Sequence, residues 1–280
     1  MTISGRAMVA GVIGRPVGHS LSPGLHGAWI AAAGLDALYA PFEPGSEADF
    51  PTLARGLKVG GVRGVNVTLP FKAQALAMAD VVDAAAAQAG AANLLLFRAD
   101  GLIEARNTDG VGLLAAFAEQ APAVDLAGGP VVILGAGGAA RGAAAALKGA
   151  GTPALRIVNR TLERAGALAA EFGGAAYALD EAEQAFEGAV AIINASSAGL
   201  GDGPARDWPL EAAPRQAAVM DMVYKPLETP LLQKARALGL ARVDGLAMLI
   251  GQARPSFEAF YGAPPPRAVD VRVLLERALG

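Results

Sequence analysis

The sequence predicts an α/β protein with two lobes: an N-terminal α/β domain completed by C-terminal helices, and a Rossmann-type domain. Strand patterns alternate with helical patterns along most of the 280 residues, which indicates βαβ units and parallel sheets. A strand, a glycine-rich turn and a long helix follow one another at residues 131–150. Two helical patterns at the end of the chain need a sheet to pack on, most economically that of the first lobe. We therefore expect domains at residues 1–108 with 246–280 and at residues 109–245, separated by a crevice.

The first lobe is predicted from apolar, β-branched runs that are separated by helical spacing. Asp100-Gly101 between two short apolar runs indicates a hairpin. The predicted strands cover residues 8–13, 38–42, 64–69, 93–97 and 102–104, and the predicted helices cover residues 23–33, 48–57 and, from alanine-rich sequence, 72–88.

The second lobe begins at the sequence NTDG, residues 107–110, which opens an apolar helix with Thr108 or Asp109 as its cap. A loop rich in Pro and Gly at residues 121–129 leads to a new alternation of strands and helices. The predicted strands cover residues 131–134, 155–158, 190–193 and 217–222, and the later helices cover residues 230–238, 246–260 and 268–279. The sequence after residue 193, NASSAGLG at residues 194–201, is expected to line the crevice.

The composition argues against several functional classes. With 23 basic and 26 acidic residues the net charge is −3, which leaves no basic footprint for nucleic acid. The absence of cysteine excludes disulfides and thiol catalysis. Only His19 and His26 could supply imidazole, and no carboxylates stand near them to complete a zinc site. The apolar stretch at residues 7–13 is too short for a signal peptide or a membrane span, so we expect a cytoplasmic protein.

Residues 131–140, VVILGAGGAA, match the dinucleotide fingerprint G-x-G-x-x-G/A. The first glycine allows the turn, the second lets the backbone approach a pyrophosphate, and the small third residue lets the helix pack on the strand. The predicted cofactor contacts in this turn are Gly135, Ala136, Gly137, Gly138 and Ala139.

The end of the next strand favours NADP over NAD. Asn159, Arg160 and Thr161 follow the strand, and Arg164 lies one turn into the next helix. An NAD site usually has Asp or Glu here, whereas two guanidinium groups suit a 2′-phosphate. The alternative is that Asn159 caps the helix and both arginines are solvated.

Lys72 follows the sequence GVNVTLP, residues 64–70, and is predicted to emerge at the carboxyl end of a strand, where ligands of open α/β sheets bind. On local pattern alone most lysines in such a position are solvated surface residues.

Together, several motifs resemble those of the shikimate dehydrogenase family, in the family's order and over nearly the whole chain. They are GRPVGHSLSP at residues 14–23, NVTLPFK at 66–72, NTDG at 107–110, GAGGA at 135–139, NRT at 159–161, MVY at 222–224 and DGL at 244–246 leading to Gln252. The resemblance implies reversible NADPH-dependent reduction of 3-dehydroshikimate to shikimate, in the biosynthesis of aromatic compounds. It implies no partner besides small molecules, and it leaves monomer and homodimer open.

The resemblance also implies roles for individual residues. Lys72 and Asp109 correspond to the acid–base pair, and Met222 and Gly245 to cofactor contacts. The implied substrate contacts are Ser20 and Ser22 for the carboxylate, Thr68, Asn93 and Gln252 for the ring hydroxyls, and in addition Asp109 and Tyr224. His19 is expected to shape the serine loop.

Each role has a structural alternative. Ser22 before Pro23 is a typical helix N-cap, and Asp109 is another. Thr68 is an ordinary strand residue and Asn93 an ordinary turn residue.

Four positions depart from the family pattern: Gly27, Ala84, Leu94 and Ala247. They bear on substrate choice and efficiency more than on reaction type. The alternatives to the main interpretation are a paralogous dehydrogenase of quinate or aminoshikimate and a non-catalytic sensor that binds NADP or shikimate.

Overall fold

A computed structural model describes residues 3–196 and 206–279 of the chain. The chain forms two compact units, the first containing Met1–Thr108 with Gln252–Ala278 and the second containing Asp109–Gly251. The chain passes from the second unit to the first inside a helix, whereas the sequence analysis placed this transition at the start of that helix. The predicted fold class, mixed α/β with two sheets, is confirmed. Residues 197–201 of the predicted crevice segment lie outside the described residues.

The first unit is built on one mixed sheet. Its elements are β1 (Met8–Ile13), α1 (Ser22–Ala32), β2 (Ala37–Phe42), α2 (Phe50–Val59), β3 (Gly64–Val67), α3 (Lys72–Ala77), β4 (Val81–Val82), α4 (Ala84–Ala89), β5 (Leu94–Phe97) and β6 (Ile103–Arg106). The strand order is β2-β1-β3-β5-β6-β4, in which β1 runs parallel to β2 and β3. The predicted hairpin is present as the antiparallel pair of β5 and β6.

The single helix predicted over residues 72–88 is wrong, because β4 interrupts it. The Asp80 N–H donates to the Ile103 carbonyl at 2.8 Å, and the Asp83 N–H donates to the Ala105 carbonyl at 3.0 Å. The Asp83 carboxylate then accepts the Ala86 N–H at 2.6 Å and caps α4. Pairing with β6 and this cap therefore divide the alanine-rich sequence into α3 and α4.

The second unit is a parallel sheet with helices between its strands. Its elements are α5 (Asp109–Gln120), β7 (Val131–Leu134), α6 (Gly138–Gly149), β8 (Leu155–Val158), α7 (Leu162–Phe172), β9 (Ala175–Tyr177), α8 (Ala182–Phe186), β10 (Ala191–Asn194), β11 (Ala218–Asp221), α9 (Pro230–Ala237) and β12 (Ala241–Val243). The strand order β12-β11-β10-β7-β8-β9 is that of a Rossmann sheet, with its topological switch between β7 and β10. Ligands of such sheets bind at this switch.

The helices α10 (Gly245–Tyr261) and α11 (Val271–Leu279) follow β12. From Gln252 onward α10 belongs to the first unit. There the ring of Phe257 lies 5.6 Å from that of Trp29, edge to face. The C-terminal segment therefore completes the core of the first unit, as the predicted fold class requires.

None of the described helices has both the length and the apolar composition needed to cross a bilayer. Within residues 3–196 and 206–279, no group of three or more acidic or histidine side chains is arranged to hold a metal ion.

His26 is a core residue of the first unit. Its ring is fully buried and stacks on Tyr39, with 4.0 Å between ring centroids. Neither ring nitrogen has a hydrogen-bond partner within the described part of the chain. Burial lowers the pKa of His26 from 6.5 to about 3. The ring is therefore neutral near pH 7, which argues against a role in proton transfer.

Because the pKa of His26 is lower in the folded chain than in the unfolded chain, the free energy of unfolding is highest above about pH 6.5 and falls as the pH decreases toward 3. The loss amounts to roughly 1.4 kcal/mol per pH unit, or about 2 kcal/mol at pH 5. We expect His26→Phe, which retains the stacked ring, to remove this part of the difference between pH 7 and pH 5 in urea unfolding. The control Phe50→Leu, at a buried ring that stacks on Phe71 and has no ring contact with His26, should shift the stability equally at both pH values. An unchanged pH dependence in His26→Phe would contradict the assignment.

Candidate active site

The loop between β1 and α1 presents Ser20 and Ser22. The Ser20 hydroxyl accepts the Ser22 N–H at 3.3 Å. Helix α1 begins at Ser22, and its N-cap is Leu21, which makes no side-chain cap. The alternative that Ser22 caps the helix is therefore wrong. Ser22 is instead the first residue of the helix, and it is buried.

Thr68 and Lys72 lie beyond the carboxyl end of β3. The Thr68 N–H donates to the Ile13 carbonyl at 2.9 Å, which ties the segment to the end of β1. Lys72 is the first residue of α3 and is half-buried. Its carbonyl accepts the N–H of Ala92 at 2.9 Å, so the start of α3 is joined to the residue that precedes Asn93.

Asn93, Thr108 and Gln252 form one hydrogen-bonded cluster in the first unit. The Asn93 amide donates to the Thr108 hydroxyl at 2.9 Å and to Gln252 Oε1 at 3.3 Å. The side-chain Oδ1 of Asn93 accepts the Thr108 N–H at 2.8 Å. These contacts fix the orientation of the Asn93 side chain, which is only 3% exposed and so differs from an ordinary turn residue. The sequence analysis considered Thr108 only as a helix cap and missed its place in this cluster.

Asn66 supports the cluster from inside the sheet. The side-chain Oδ1 of Asn66 accepts the Tyr39 hydroxyl at 2.8 Å. Its side-chain amide nitrogen donates to Ser256 Oγ at 2.8 Å and to the backbone carbonyl of Asn93 at 3.2 Å. The sequence analysis gave Asn66 no role. The available signal was an amide in the middle of an apolar strand, since a buried polar group needs partners.

Asp109 is half-buried and is the first residue of α5 and of the second unit. An acidic side chain in the first turn interacts favourably with the positive end of the helix dipole. His19 is exposed in the serine loop.

The glycine-rich turn of the second unit joins β7 to α6. Gly135 has a φ of +111°, and a Cβ at this position would lie 3.2 Å from Ser196, so only glycine fits without strain. Gly137 is the N-cap of α6 and has no side chain that could occupy the N–H groups of the first turn, while Gly138 and Ala139 are exposed. Added Cβ atoms at Gly137 and Gly138 would meet open space. The first turn of α6 therefore has N–H groups and room for a pyrophosphate, with Ala136 half-buried beside it.

The segment after β8 carries Asn159, Arg160, Thr161 and Arg164. The N-cap of α7 is Thr161, and the Asn159 amide donates to the Thr161 carbonyl at 2.9 Å, so the alternative that Asn159 caps the helix is wrong. Thr161 and both arginines are exposed, and among the described residues no carboxylate pairs with either guanidinium. Both cations are therefore available to an anionic ligand, as a 2′-phosphate requires.

Met222, Tyr224 and Gly245 stand near the ends of β11 and β12. A Cβ at Gly245 would lie 2.4 Å from the Met222 carbonyl oxygen, so this close backbone approach requires glycine. Burial raises the pKa of the Tyr224 hydroxyl, which keeps it a hydrogen-bond donor at neutral pH.

Asp221 is a buried residue that the sequence analysis missed. Its carboxylate accepts the Thr229 hydroxyl at 2.7 Å, the Val223 N–H at 3.0 Å and the Asn194 amide at 3.0 Å. Burial raises the pKa of Asp221. The carboxylate therefore links the ends of β10 and β11 and fixes the segment that holds Met222.

Of the four departures from the family pattern, Leu94 and Ala247 are buried and Gly27 is exposed. Ala84 is the first residue of α4 and follows the capping Asp83.

Comparison with known proteins identifies the family. A model described as the shikimate dehydrogenase substrate binding domain matches residues 12–95, and one described as shikimate / quinate 5-dehydrogenase matches residues 117–200. A curated relative from Caulobacter vibrioides, a shikimate dehydrogenase (NADP(+)), is 54% identical over 280 residues, which is 99% of this chain and 98% of the relative. The chain belongs to the shikimate dehydrogenase family.

Solved structures of this family share the fold. Shikimate 5-dehydrogenase from Thermus thermophilus, in complex with NADP(H) and shikimate, has a TM-score of 0.84 and 38% identity, and the match covers 97% of this chain and 98% of the other. Quinate dehydrogenase from Corynebacterium glutamicum, in complex with NAD, has a TM-score of 0.86 and 31% identity, with 98% of each chain covered. The predicted family membership is thus confirmed.

The close approach at Gly245 makes a prediction about stability. Gly245→Ala places a methyl group against the Met222 carbonyl, so we expect the free energy of unfolding to fall by about 1–3 kcal/mol in urea titrations. The control is Gly166→Ala in α7, where a Cβ meets no atom within 4 Å and helix propensity should raise the stability by up to about 1 kcal/mol. Equal effects of the two substitutions would contradict the proposed constraint.

Proposed function

We propose that this chain catalyses the reversible NADPH-dependent reduction of 3-dehydroshikimate to shikimate, a step in the biosynthesis of aromatic compounds. The observation that carries the proposal is the hydrogen-bonded cluster of Asn93, Thr108 and Gln252, joined through Ala92 to the backbone of Lys72. An oriented carboxamide beside a lysine suits a polyhydroxylated substrate whose carbonyl oxygen must receive a proton. The identity of 54% with a shikimate dehydrogenase (NADP(+)) over nearly the full length supports the substrate and the cofactor.

The first unit is assigned to the substrate. Ser20 and Ser22 bind its carboxylate, since both stand at the same turn and the Ser20 hydroxyl accepts the Ser22 N–H. Thr68, Asn93 and Gln252 bind ring hydroxyls, and Tyr224 of the second unit adds a donor hydroxyl.

Lys72 and Asp109 are assigned as the acid–base pair. An ammonium group near the carbonyl oxygen polarises the carbonyl and delivers the proton in the direction of reduction. Asp109 directly follows Thr108, a member of the substrate cluster. In this assignment the Asp109 carboxylate orients the ammonium group of Lys72.

The second unit is assigned to NADP. The N–H groups of the turn that contains Gly135, Ala136, Gly137, Gly138 and Ala139 hold the pyrophosphate. Asn159, Arg160, Thr161 and Arg164 hold the ribose and its 2′-phosphate, and Met222 and Gly245 contact the nicotinamide half. When bound, NADPH supplies the hydride.

The proposed setting is the cytoplasm, and small molecules are the only partners that the chemistry requires. A monomer or a homodimer would serve equally, and light scattering after size-exclusion chromatography distinguishes the two.

A second candidate is oxidation of quinate, favoured by the fold shared with the quinate dehydrogenase of Corynebacterium glutamicum at a TM-score of 0.86. Quinate has an additional tertiary hydroxyl at the carboxylate-bearing carbon, which would need space beside Ser20 and Ser22. Discrimination by one such group can be modest, so the substrate has to be measured.

The experiment is a panel of shikimate, quinate and aminoshikimate, each assayed with NADP⁺ and NAD⁺ by nicotinamide absorbance at alkaline pH. We expect the highest kcat/KM with shikimate and NADP⁺. A higher value with quinate would favour the second candidate, and no turnover with any of the six combinations would favour a non-catalytic binding protein.

Lys72→Ala should lower kcat by about two to four orders of magnitude, as expected for loss of a general acid, while the dissociation constant of shikimate stays within about tenfold. Steady-state kinetics and calorimetric titration measure the two quantities. Lys58→Ala, at a partly exposed lysine of α2, serves as the matched control and should leave both unchanged. A normal kcat in Lys72→Ala would exclude the assigned role.

Arg160→Ala should raise KM for NADP⁺ by about tenfold or more and leave KM for NAD⁺ within about twofold, because only NADP⁺ carries the 2′-phosphate. The control Arg55→Ala removes an exposed arginine of the first unit and should affect neither cofactor. Equal losses for both cofactors would mean that Arg160 does not bind the phosphate.

A further inference from the structure

Glu43 links the end of β2 to the serine loop. One carboxylate oxygen of Glu43 accepts the Val17 N–H at 2.9 Å, and the other lies 4.0 Å from the Arg15 guanidinium. The Arg15 guanidinium also donates to the Pro44 carbonyl at 2.5 Å. The loop is therefore attached to the segment after β2 at two successive points, although it has no regular secondary structure of its own.

Hydrogen bonds continue from Val17 to both serines. The Val17 carbonyl accepts the Ser20 N–H at 3.0 Å, and the Ser20 hydroxyl accepts the Ser22 N–H at 3.3 Å. The Val17 side chain is only 6% exposed, so packing restrains the residue that Glu43 holds. A displacement of Val17 would therefore displace Ser20, and with it the hydrogen bond to the first residue of α1.

We propose that Glu43 is a positioning residue, whose carboxylate holds Val17 and so sets the positions of Ser20 and Ser22 for binding the substrate carboxylate. This inference rests on the proposed function, in which the two serines bind that carboxylate. Glu43 does not touch the substrate and acts through the loop.

The charge of Glu43 and its hydrogen bond to Val17 have opposite effects on KM, so a positioning role can be distinguished from that of a surface charge. The Glu43 side chain is 42% exposed, and an exposed ion pair with Arg15 contributes little by itself. A negative charge near the binding loop disfavours an anionic substrate, so removing the charge alone should lower KM for shikimate. Loss of the hydrogen bond to Val17 should raise KM instead.

The test compares Glu43→Ala with Glu43→Gln. In Glu43→Ala we expect KM for shikimate to rise about 5- to 30-fold, while kcat and KM for NADP⁺ stay within about twofold. Glu43→Gln retains an acceptor for the Val17 N–H and should bring KM back to within about twofold of the wild type. The control Glu47→Ala removes an exposed carboxylate of the short helical turn after β2 and should leave all three constants unchanged.

A double-mutant cycle tests the route. If Glu43 acts through the serine, Glu43→Ala should have a much smaller effect on KM in a Ser20→Ala background than in the wild type. Additive effects, an unchanged KM in Glu43→Ala, or a KM in Glu43→Gln as high as in Glu43→Ala would each overturn the inference.

Amide hydrogen exchange keeps the test independent of turnover. The Val17 and Ser20 N–H groups should exchange faster in Glu43→Ala than in the wild type and at the wild-type rate in Glu43→Gln. A wild type without activity on shikimate would contradict the proposed function, and exchange would then decide whether Glu43 holds the loop. Unchanged exchange in Glu43→Ala would overturn the inference whatever the activity.

Discussion

A buried carboxamide must satisfy its donors and its acceptor inside the protein, and the first unit depends on how Asn66 meets this requirement. Its partners are Tyr39 of β2, Ser256 of α10 and the backbone carbonyl of Asn93, the residue before β5. The same amide thus joins the parallel part of the sheet to the C-terminal helix and to the segment that presents Asn93. Two of these partners lead to the proposed substrate contacts. Asn93 is itself one of them, and the Ser256 hydroxyl donates to the carbonyl of Gln252, one turn earlier in α10, at 3.3 Å.

The second unit meets its requirements differently. Its strands are all parallel, and the groups proposed to bind the cofactor are backbone N–H groups at the start of α6, so the turn needs small residues more than polar side chains. The polar side chains cluster instead at Asp221, whose three donors hold together the ends of β10 and β11. A carboxylate with three donors and little exposure keeps one arrangement, which gives the adjacent segment a defined position.

The sequence predicted the strands β1, β7 and β8 with the bounds that the structure has, because these strands lie inside their sheets and are apolar except for Arg156 of β8. It missed β4, β9 and β12, which are only two or three residues long and lie at sheet edges, where pairing with a neighbour decides the conformation. Such pairing is a tertiary effect that local propensity does not contain.

The residues of the candidate site also fall into those with a local signal in the sequence and those whose role depends on tertiary contacts. The fingerprint at residues 135–139 is local, so its strand-turn-helix setting was predictable. Thr108, Asn66 and Glu43 act through hydrogen bonds to residues distant in sequence, and their identity alone is equally compatible with a cap, a strand residue and a surface charge. Ser22 has the residue type and the following proline of an N-cap, yet α1 begins at Ser22 itself and its N-cap is Leu21.

The passage of the chain through α10 also sets an order for biogenesis. The second unit, Asp109–Gly251, is continuous in sequence, whereas the first unit requires Ser256, Phe257 and Phe260 to fill its core and satisfy Asn66. During synthesis the ribosome completes the second unit before it supplies those side chains. The part of the protein that is translated first is therefore the part that finishes folding last, and its unpaired Asn66 and exposed apolar surface persist until α10 has emerged.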